Sequence, residues 1–485
     1  MLSVILISIF LLGMIIIGIW GMRKTYNVGD FFLGGRTIGP WISAFAYGTT
    51  YFSAVLFIGF AGKLGWAFGI KVLWIALGNA VFGSLLSWLV LGKRTRRMTQ
   101  NLNVMTMPEF LQERFGAKYV KIIASLIIFV FLLPYSASVF KGLGHLFEAN
   151  FHISYDIALL IMIFITGIYL ALGGYFAITL NDFIQGFIII IGSVTMVAIL
   201  VGKGGGLANT IRLISENYPK HLPPGKQPGT LLLLSLIFMT SFGTWGLPQM
   251  VQKFYAIKNE NVIKKAAIAT FIFALVISVS AYFVGSMSHV FYDKPPMMET
   301  GGPDFDRLVP GLLQDHIPET LMAVILLLVL SASMSTLSSL VLVSASSVAI
   351  DMYKGHINPQ TTRKGSLLLM RILSGVFVIL SYLIARYRIA VIVTLMSLSW
   401  GAVAGSFMAP YFYGLFWKRT TRAGIWAGML TGLVLAISLF FIMGPSNSPI
   451  ASSVAMIAPF LVVPVVSLLT KKPDGEIIAK AFEAS

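Results

Sequence analysis

The chain has no cysteine, which removes disulfides, zinc–thiolate sites, iron–sulfur clusters and thiol catalysis and leaves the redox compartment open. Acidic residues are few, 18 Asp and Glu against 35 Lys and Arg, and charged residues make up only 11% of the 485. No P-loop is present, so direct ATP coupling within this chain is not expected. The six histidines, His145, His152, His221, His289, His316 and His356, fall at span ends or in loops without ligand-like spacing, so no metal enzyme is expected. No span carries a nucleophile with a neighbouring base, which disfavours an intramembrane enzyme. What is abundant is apolar surface. With 57% hydrophobic residues and a mean hydropathy of +0.86, the chain has the composition of a polytopic membrane protein.

Crossing roughly 30 Å of hydrocarbon takes about 20 apolar residues. On that measure the sequence predicts thirteen spans, near 2–22, 38–61, 67–91, 119–147, 153–172, 181–202, 229–252, 266–290, 317–352, 367–387, 389–416, 423–443 and 447–470. The first lacks a basic leader and runs into Arg23-Lys24, so it reads as a retained helix and not as a signal peptide. If that helix enters from outside, 23 Lys and Arg fall on the cytoplasmic side and ten on the outer side, with Lys141 and Arg371 inside spans. The positive-inside rule then places the N-terminus outside and the C-terminus in the cytoplasm, and it accounts for the formal charge of +17 without nucleic acid as a partner. Two Pro- and Gly-rich outer loops, 203–228 and 291–316, read as irregular caps within one membrane domain, 1–485.

Three spans carry polar residues at mid-depth, where an unpaired polar group costs several kcal/mol. The second has Tyr47-Gly48-Thr49-Thr50-Tyr51-Phe52-Ser53, the seventh has Ser241 to Gln249 with Pro248, and the ninth has Ser331 to Ser339. A single interruption of this kind is equally explained by close helix packing with back-bonded hydroxyls. Interruptions at matching places are different. If 38–202 and 229–416 are two five-helix repeats, the second and seventh spans open each one, and an odd helix number gives the repeats opposite topology. That is the pattern of a secondary transporter with its site near the midplane, which a channel would not need.

On the ninth span, Ala332, Ser335 and Thr336 stand at i, i+3 and i+4, and Ser335, Ser338 and Ser339 repeat that spacing. Several hydroxyl and carbonyl oxygens without a full negative charge suit a monovalent cation that must also leave. Asp182, at the start of the sixth span, is either a helix cap or a cation ligand. Lys141, towards the outer end of the fourth span, is expected to snorkel to the interface.

Five segments, 31–54, 108–115, 173–186, 331–354 and 414–428, resemble the sodium:solute symporter family in the same order over essentially the whole chain. The family includes sodium/proline, pantothenate, sialic acid and sodium/glucose transporters. The resemblance implies an all-α membrane protein with a LeuT-type 5+5 inverted-repeat core, plus extra helices at 2–22 and 423–470. It also implies sodium as coupling ion. A first sodium would take the carbonyls of Thr49, Phe52 and Ala332 with the hydroxyls of Ser335 and Thr336, and a second would take Asp182 with Ser335, Ser338 and Ser339.

The resemblance further implies import of a small solute by alternating access, in a pocket drawn from Thr50, Tyr51, Ser53, Leu56, Tyr135, Trp245 and Gln249. Leu56 and Tyr135 stand where sugar-transporting relatives place Gln and Asn, which disfavours a sugar. Gly246-Leu247-Pro248-Gln249 resembles the proline and pantothenate branches, although the proline branch typically has Asp at the position of Tyr51. The expected solute is an amino acid such as proline or a small carboxylate; a pantothenate-, sialic acid- or sugar-type solute and proton coupling are the alternatives. The expected partners are the solute, sodium and the lipid bilayer of the cell membrane, with the monomer as the working unit.

Overall fold

Residues 2–23, 28–151, 153–172, 174–298 and 301–483 are described by a computed structural model; Lys24, His152 and Gly173 lie outside the described residues. The helices that matter here are α1 (Leu2–Arg23), α2 (Pro40–Tyr51), α3 (Ala61–Phe68), α4 (Val120–Phe151), α5 (Tyr155–Leu172), α6 (Tyr175–Lys203), α7 (Thr230–Phe242) and α8 (Pro248–Ala256). They are followed by α9 (Val262–Ser286), α10 (Glu319–Ser346), α11 (Arg363–Arg386), α12 (Ile392–Phe416), α13 (Arg422–Met443) and α14 (Ser448–Leu469).

Among the described residues, ten helices are long and apolar enough to cross a membrane, or eleven if the bent pair α7–α8 is one span. The difference from thirteen has a physical origin in the breaks. The second span is split, so its first half, α2, has only 12 residues, while its second half runs with the third as one helical stretch, Val55–Asn101. Those 47 residues are too long for one crossing at about 1.5 Å per residue, and Gly69, at φ +53°, turns the chain between them. The fifth is present as α5, an 18-residue helix from Tyr155 to Leu172.

Burial sorts the helices into core and periphery. The apolar windows of α12 and of Glu319–Ile357 are 94% and 78% buried, against 22% for Ser3–Gly21 and 28% for α13, so the former pair is central and the latter pair faces lipid. Around α10 pack α2, α6, α4 and α8. Two backbone approaches are close enough to require glycine. A Cβ on Gly285 of α9 would land on the Ala61 carbonyl of α3, and one on Gly432 of α13 would land on the Gly405 carbonyl of α12.

The two expected breaks are present. α2 ends where Phe52 turns extended (φ −109°, ψ 109°). α7 runs through a single 3-10 turn to Leu247, extended at φ −83° and ψ 119°, and Pro248, which needs no donor at N1, opens α8. The two halves are bent by 41°. The ninth span differs: α10 is continuous through 331–339, and Ser333, Ser335, Thr336 and Ser338 satisfy their hydroxyls on carbonyls of their own helix.

Three placements correct the sequence reading. Asp182 does not cap a helix: α6 starts at Tyr175 behind Gly174, which puts Asp182 in its interior. Lys141 does not snorkel; it is buried and paired with Asp306 of the 291–316 loop. Lys253, counted above with the cytoplasmic loop charges, is 1% exposed inside the bundle.

Candidate cation and solute site

The break after Tyr51 leaves the last turn of α2 with carbonyls that face α10. Thr49 and Thr50 supply them. Ser335 Oγ donates to the Thr49 carbonyl at 2.9 Å and lies 3.0 Å from the Ala332 carbonyl. Thr336 Oγ1 lies 3.2 Å from the Thr49 carbonyl, 3.1 Å from that of Thr50 and 3.1 Å from that of Ala332. Thr49, Thr50, Ala332, Ser335 and Thr336 are all buried. Five uncharged oxygens from two helices nearly 290 residues apart in the chain thus meet in one place. Once the two hydroxyl hydrogens turn outward, this set could ligate a single small hard cation. Phe52, expected to give a carbonyl, has no hydrogen bond recorded to this cluster among the described residues; its ring stacks on Tyr51 at 4.3 Å. The Thr50 carbonyl, not among the expected ligands, joins the cluster through Thr336.

The second expected set is arranged otherwise. Ser338 Oγ donates to the Ser335 carbonyl at 2.8 Å. Ser339 Oγ receives Lys253 Nζ at 3.1 Å and meets Thr50 Oγ1 at 3.0 Å. Asp182 is fully buried, and among the described residues neither of its oxygens has a hydrogen-bond partner. Lys253 Nζ stands 3.8 Å from its Oδ2.

Beside the break lies a small cavity lined by Tyr51, Ser53, Leu56, Tyr135 and Trp400, with Asn79, Thr240, Tyr282 and Met396 completing much of its wall. Its water-sized space is about 20 Å³, enough for about one water and too little for an amino acid. Tyr51 donates its hydroxyl to the Thr240 carbonyl at 2.6 Å, and Thr240 Oγ1 in turn reaches Asn79 Oδ1 at 2.7 Å. Trp400 lies 6.3 Å from the Tyr51 ring and 5.9 Å from that of Tyr135, roughly parallel to the first and edge-on to the second.

Of the residues expected to line the pocket, Tyr51, Ser53, Leu56 and Tyr135 do so, while Thr50, Trp245 and Gln249 do not. Trp245 donates its indole N–H to the Phe82 carbonyl at 3.0 Å and belongs to a separate aromatic group with Phe242 and Phe412. Gln249 is buried on α8, its Oε1 without a hydrogen-bond partner.

Residues 31–432 match the sequence profile of the sodium:solute symporter family. The chain belongs to the sodium:solute symporter family. A sodium/proline symporter of Staphylococcus aureus (strain NCTC 8325 / PS 47) is 31% identical over 486 residues, covering 97% of this chain and 93% of that protein. A Na+-coupled sialic acid symporter, solved in a substrate-bound outward-open state, superposes with a TM-score of 0.82 at 16% identity over 98% of both chains. Mhp1, a nucleobase-cation-symport-1 transporter in a closed conformation, follows at a TM-score of 0.57 and 13% identity, over 94% of this chain and 99% of that one. The fold is therefore the all-helical LeuT type, and this symporter is a multi-pass membrane protein and a secondary transporter, not an enzyme.

Asn79, Thr240, Tyr282 and Met396 also line this cavity of the symporter without having been singled out from the sequence. Asn79 carries a usable signal, an amide within an apolar span. Tyr282 and Met396 do not, since aromatic and Met residues in apolar spans are ordinarily core.

Proposed function

We propose that this symporter imports a small carboxylate-bearing solute, an amino acid such as proline foremost, together with sodium. The observation that carries the reading is the convergence of the Ser335 and Thr336 hydroxyls on the carbonyls of α2 beside its break. Sodium entering there fixes α2 against α10, on the wall of the cavity that holds Tyr51 and Ser53. The relative named a sodium/proline symporter supports an amino acid as solute. Tyr51 in place of the Asp typical of the proline branch argues for testing other carboxylates beside proline.

The cycle is alternating access between two inverted repeats, 38–202 and 229–416, in a monomer of the cell membrane with the N-terminus outside. Tyr51 and Trp400 part to admit the solute, since the closed cavity is too small for it. One sodium crossing about 100 mV gives about 2.3 kcal/mol, and a roughly tenfold gradient adds about 1.4 kcal/mol. Together these sustain a gradient of roughly several hundredfold for a zwitterionic amino acid, whose transfer with one sodium moves one net charge.

Uptake of a panel of amino acids, small carboxylates and sugars into proteoliposomes, with sodium and proton gradients imposed separately, tests the proposal. Sodium-driven uptake of proline or a related carboxylate is expected. Uptake driven equally well by protons without sodium, or confined to sugars, would overturn it.

A further inference from the structure

We infer that the ammonium of Lys253 is a resident cation standing where a second sodium would bind, so that the symporter carries one sodium per cycle. The inference rests on the sodium-coupled reading above and adds its ion count. Its starting point is the buried carboxylate of Asp182. A carboxylate in a dry interior needs a counter-charge, and among the described residues the one cation within 4.0 Å is Lys253 Nζ.

Lys253 reaches that position because the break at Leu247 and Pro248 carries α8 into the bundle against α10. Its ammonium is held on three sides. It donates to Ser339 Oγ at 3.1 Å, faces Asp182 at 3.8 Å and lies 5.3 Å from the centre of the Tyr175 ring. An ammonium is a compact point charge with three donors, which suits a hydroxyl, a carboxylate and an aromatic face.

Two of the groups that a second sodium would need already face the ammonium: Ser339 Oγ accepts from Lys253, and the Asp182 carboxylate stands opposite it. Adding sodium beside Asp182 would also set two cations a few ångströms apart in low dielectric, where repulsion from the ammonium offsets attraction to the carboxylate. The Asp182–Lys253 pair is neutral as it stands. It therefore moves no net charge of its own.

The arrangement also joins the two cation positions. Lys253 holds Ser339, Ser339 contacts Thr50 Oγ1, and the Thr50 carbonyl accepts from Thr336 of the first cluster. A tethered ammonium fastens α8, α10 and α2 together without being released, whereas a sodium in that place would have to leave in each cycle.

The test is the number of radioactive sodium ions bound per purified chain, with choline holding ionic strength constant and sodium alone as the probe. The wild type is expected to bind one, and Lys253→Met, which frees Asp182 and its neighbouring hydroxyls, to bind two. The double variant Lys253→Met/Asp182→Asn is expected to return to one. Should Lys253→Met fail to fold, Asp182→Asn decides alone, with a retained count of one supporting the inference. A wild-type count of two, a folded Lys253→Met that still binds one, or an Asp182→Asn that binds none would overturn it. A wild-type count of zero would sink the sodium-coupled reading itself, and the inference with it.

Discussion

Lys141 Nζ lies 2.7 Å from Asp306 Oδ2, and that same oxygen also accepts the Ile392 N–H at 3.2 Å. The pair joins α4 to the 291–316 loop and the N-terminus of α12, while Lys141 donates a further bond to the Ala390 carbonyl at 2.9 Å. Both side chains are buried, at 7% and 1% exposure. Removing one partner leaves the other charged and uncompensated, at about 3–5 kcal/mol. Asp306→Asn and Lys141→Met are each expected to lower the melting temperature in detergent, and the double variant Lys141→Met/Asp306→Asn to recover much of the loss. Equal melting of all four proteins would refute the coupling.

The hydroxyls of Ser335 and Thr336 are expected to matter for stability and for sodium. Each also serves a buried carbonyl of α2, so Ala at either position should lower sodium-free stability by about 1–3 kcal/mol. A hydrogen-bonding partner of a charge is worth about 1.5–3 kcal/mol, or roughly ten- to hundredfold in affinity. Titrating the sodium-induced rise in melting temperature should therefore show Ser335→Ala and Thr336→Ala shifted to higher sodium by about that factor. Titrations that superpose on the wild type would count against the cluster.

Leu56 sits in the cavity wall among aromatic rings. Its truncation to Ala removes three methyl(ene) carbons at a site where the transported solute is proposed to lie. Leu56→Ala is expected to improve uptake of solutes larger than the native one relative to the native one itself, with competition assays giving the ratio. A uniform fall for every solute would place Leu56 in structural packing only.

Gly432 approaches the backbone of Gly405 with no room for a side chain. Gly432→Ala must push α13 from α12, and overpacking of this kind costs about 1–3 kcal/mol. A lowered melting temperature with unchanged sodium titration is the expected result. A variant as stable as the wild type would show that the helices part freely.

The breaks at 52 and 247 were legible because Gly, Pro and hydroxyl residues at mid-span have few other uses in hydrocarbon, and the 332–336 spacing announced a shared helix face. Lys253 was not legible. It closes an apolar run just before Lys258, Lys264 and Lys265, which looks like the cytoplasmic end of a span, and only the 41° bend carries it inward. The placement of Trp245 outside the cavity was hidden for the same reason, since a straight helix gives no warning of where the residue before a bend will point. Asp182 looked terminal because Gly174 and the seven residues after it are less apolar than the run that follows, although the helix already begins at Tyr175.

The glycine approaches divide the molecule into what can slide and what cannot. Where α3 lies bare backbone against α9, and α13 against α12, there is no lubricating layer of side chains, so each couple travels as a block. The contact of α2 with α10, which belongs to neither couple, is instead stitched by hydroxyl-to-carbonyl bonds, a softer joint than interlocked backbone.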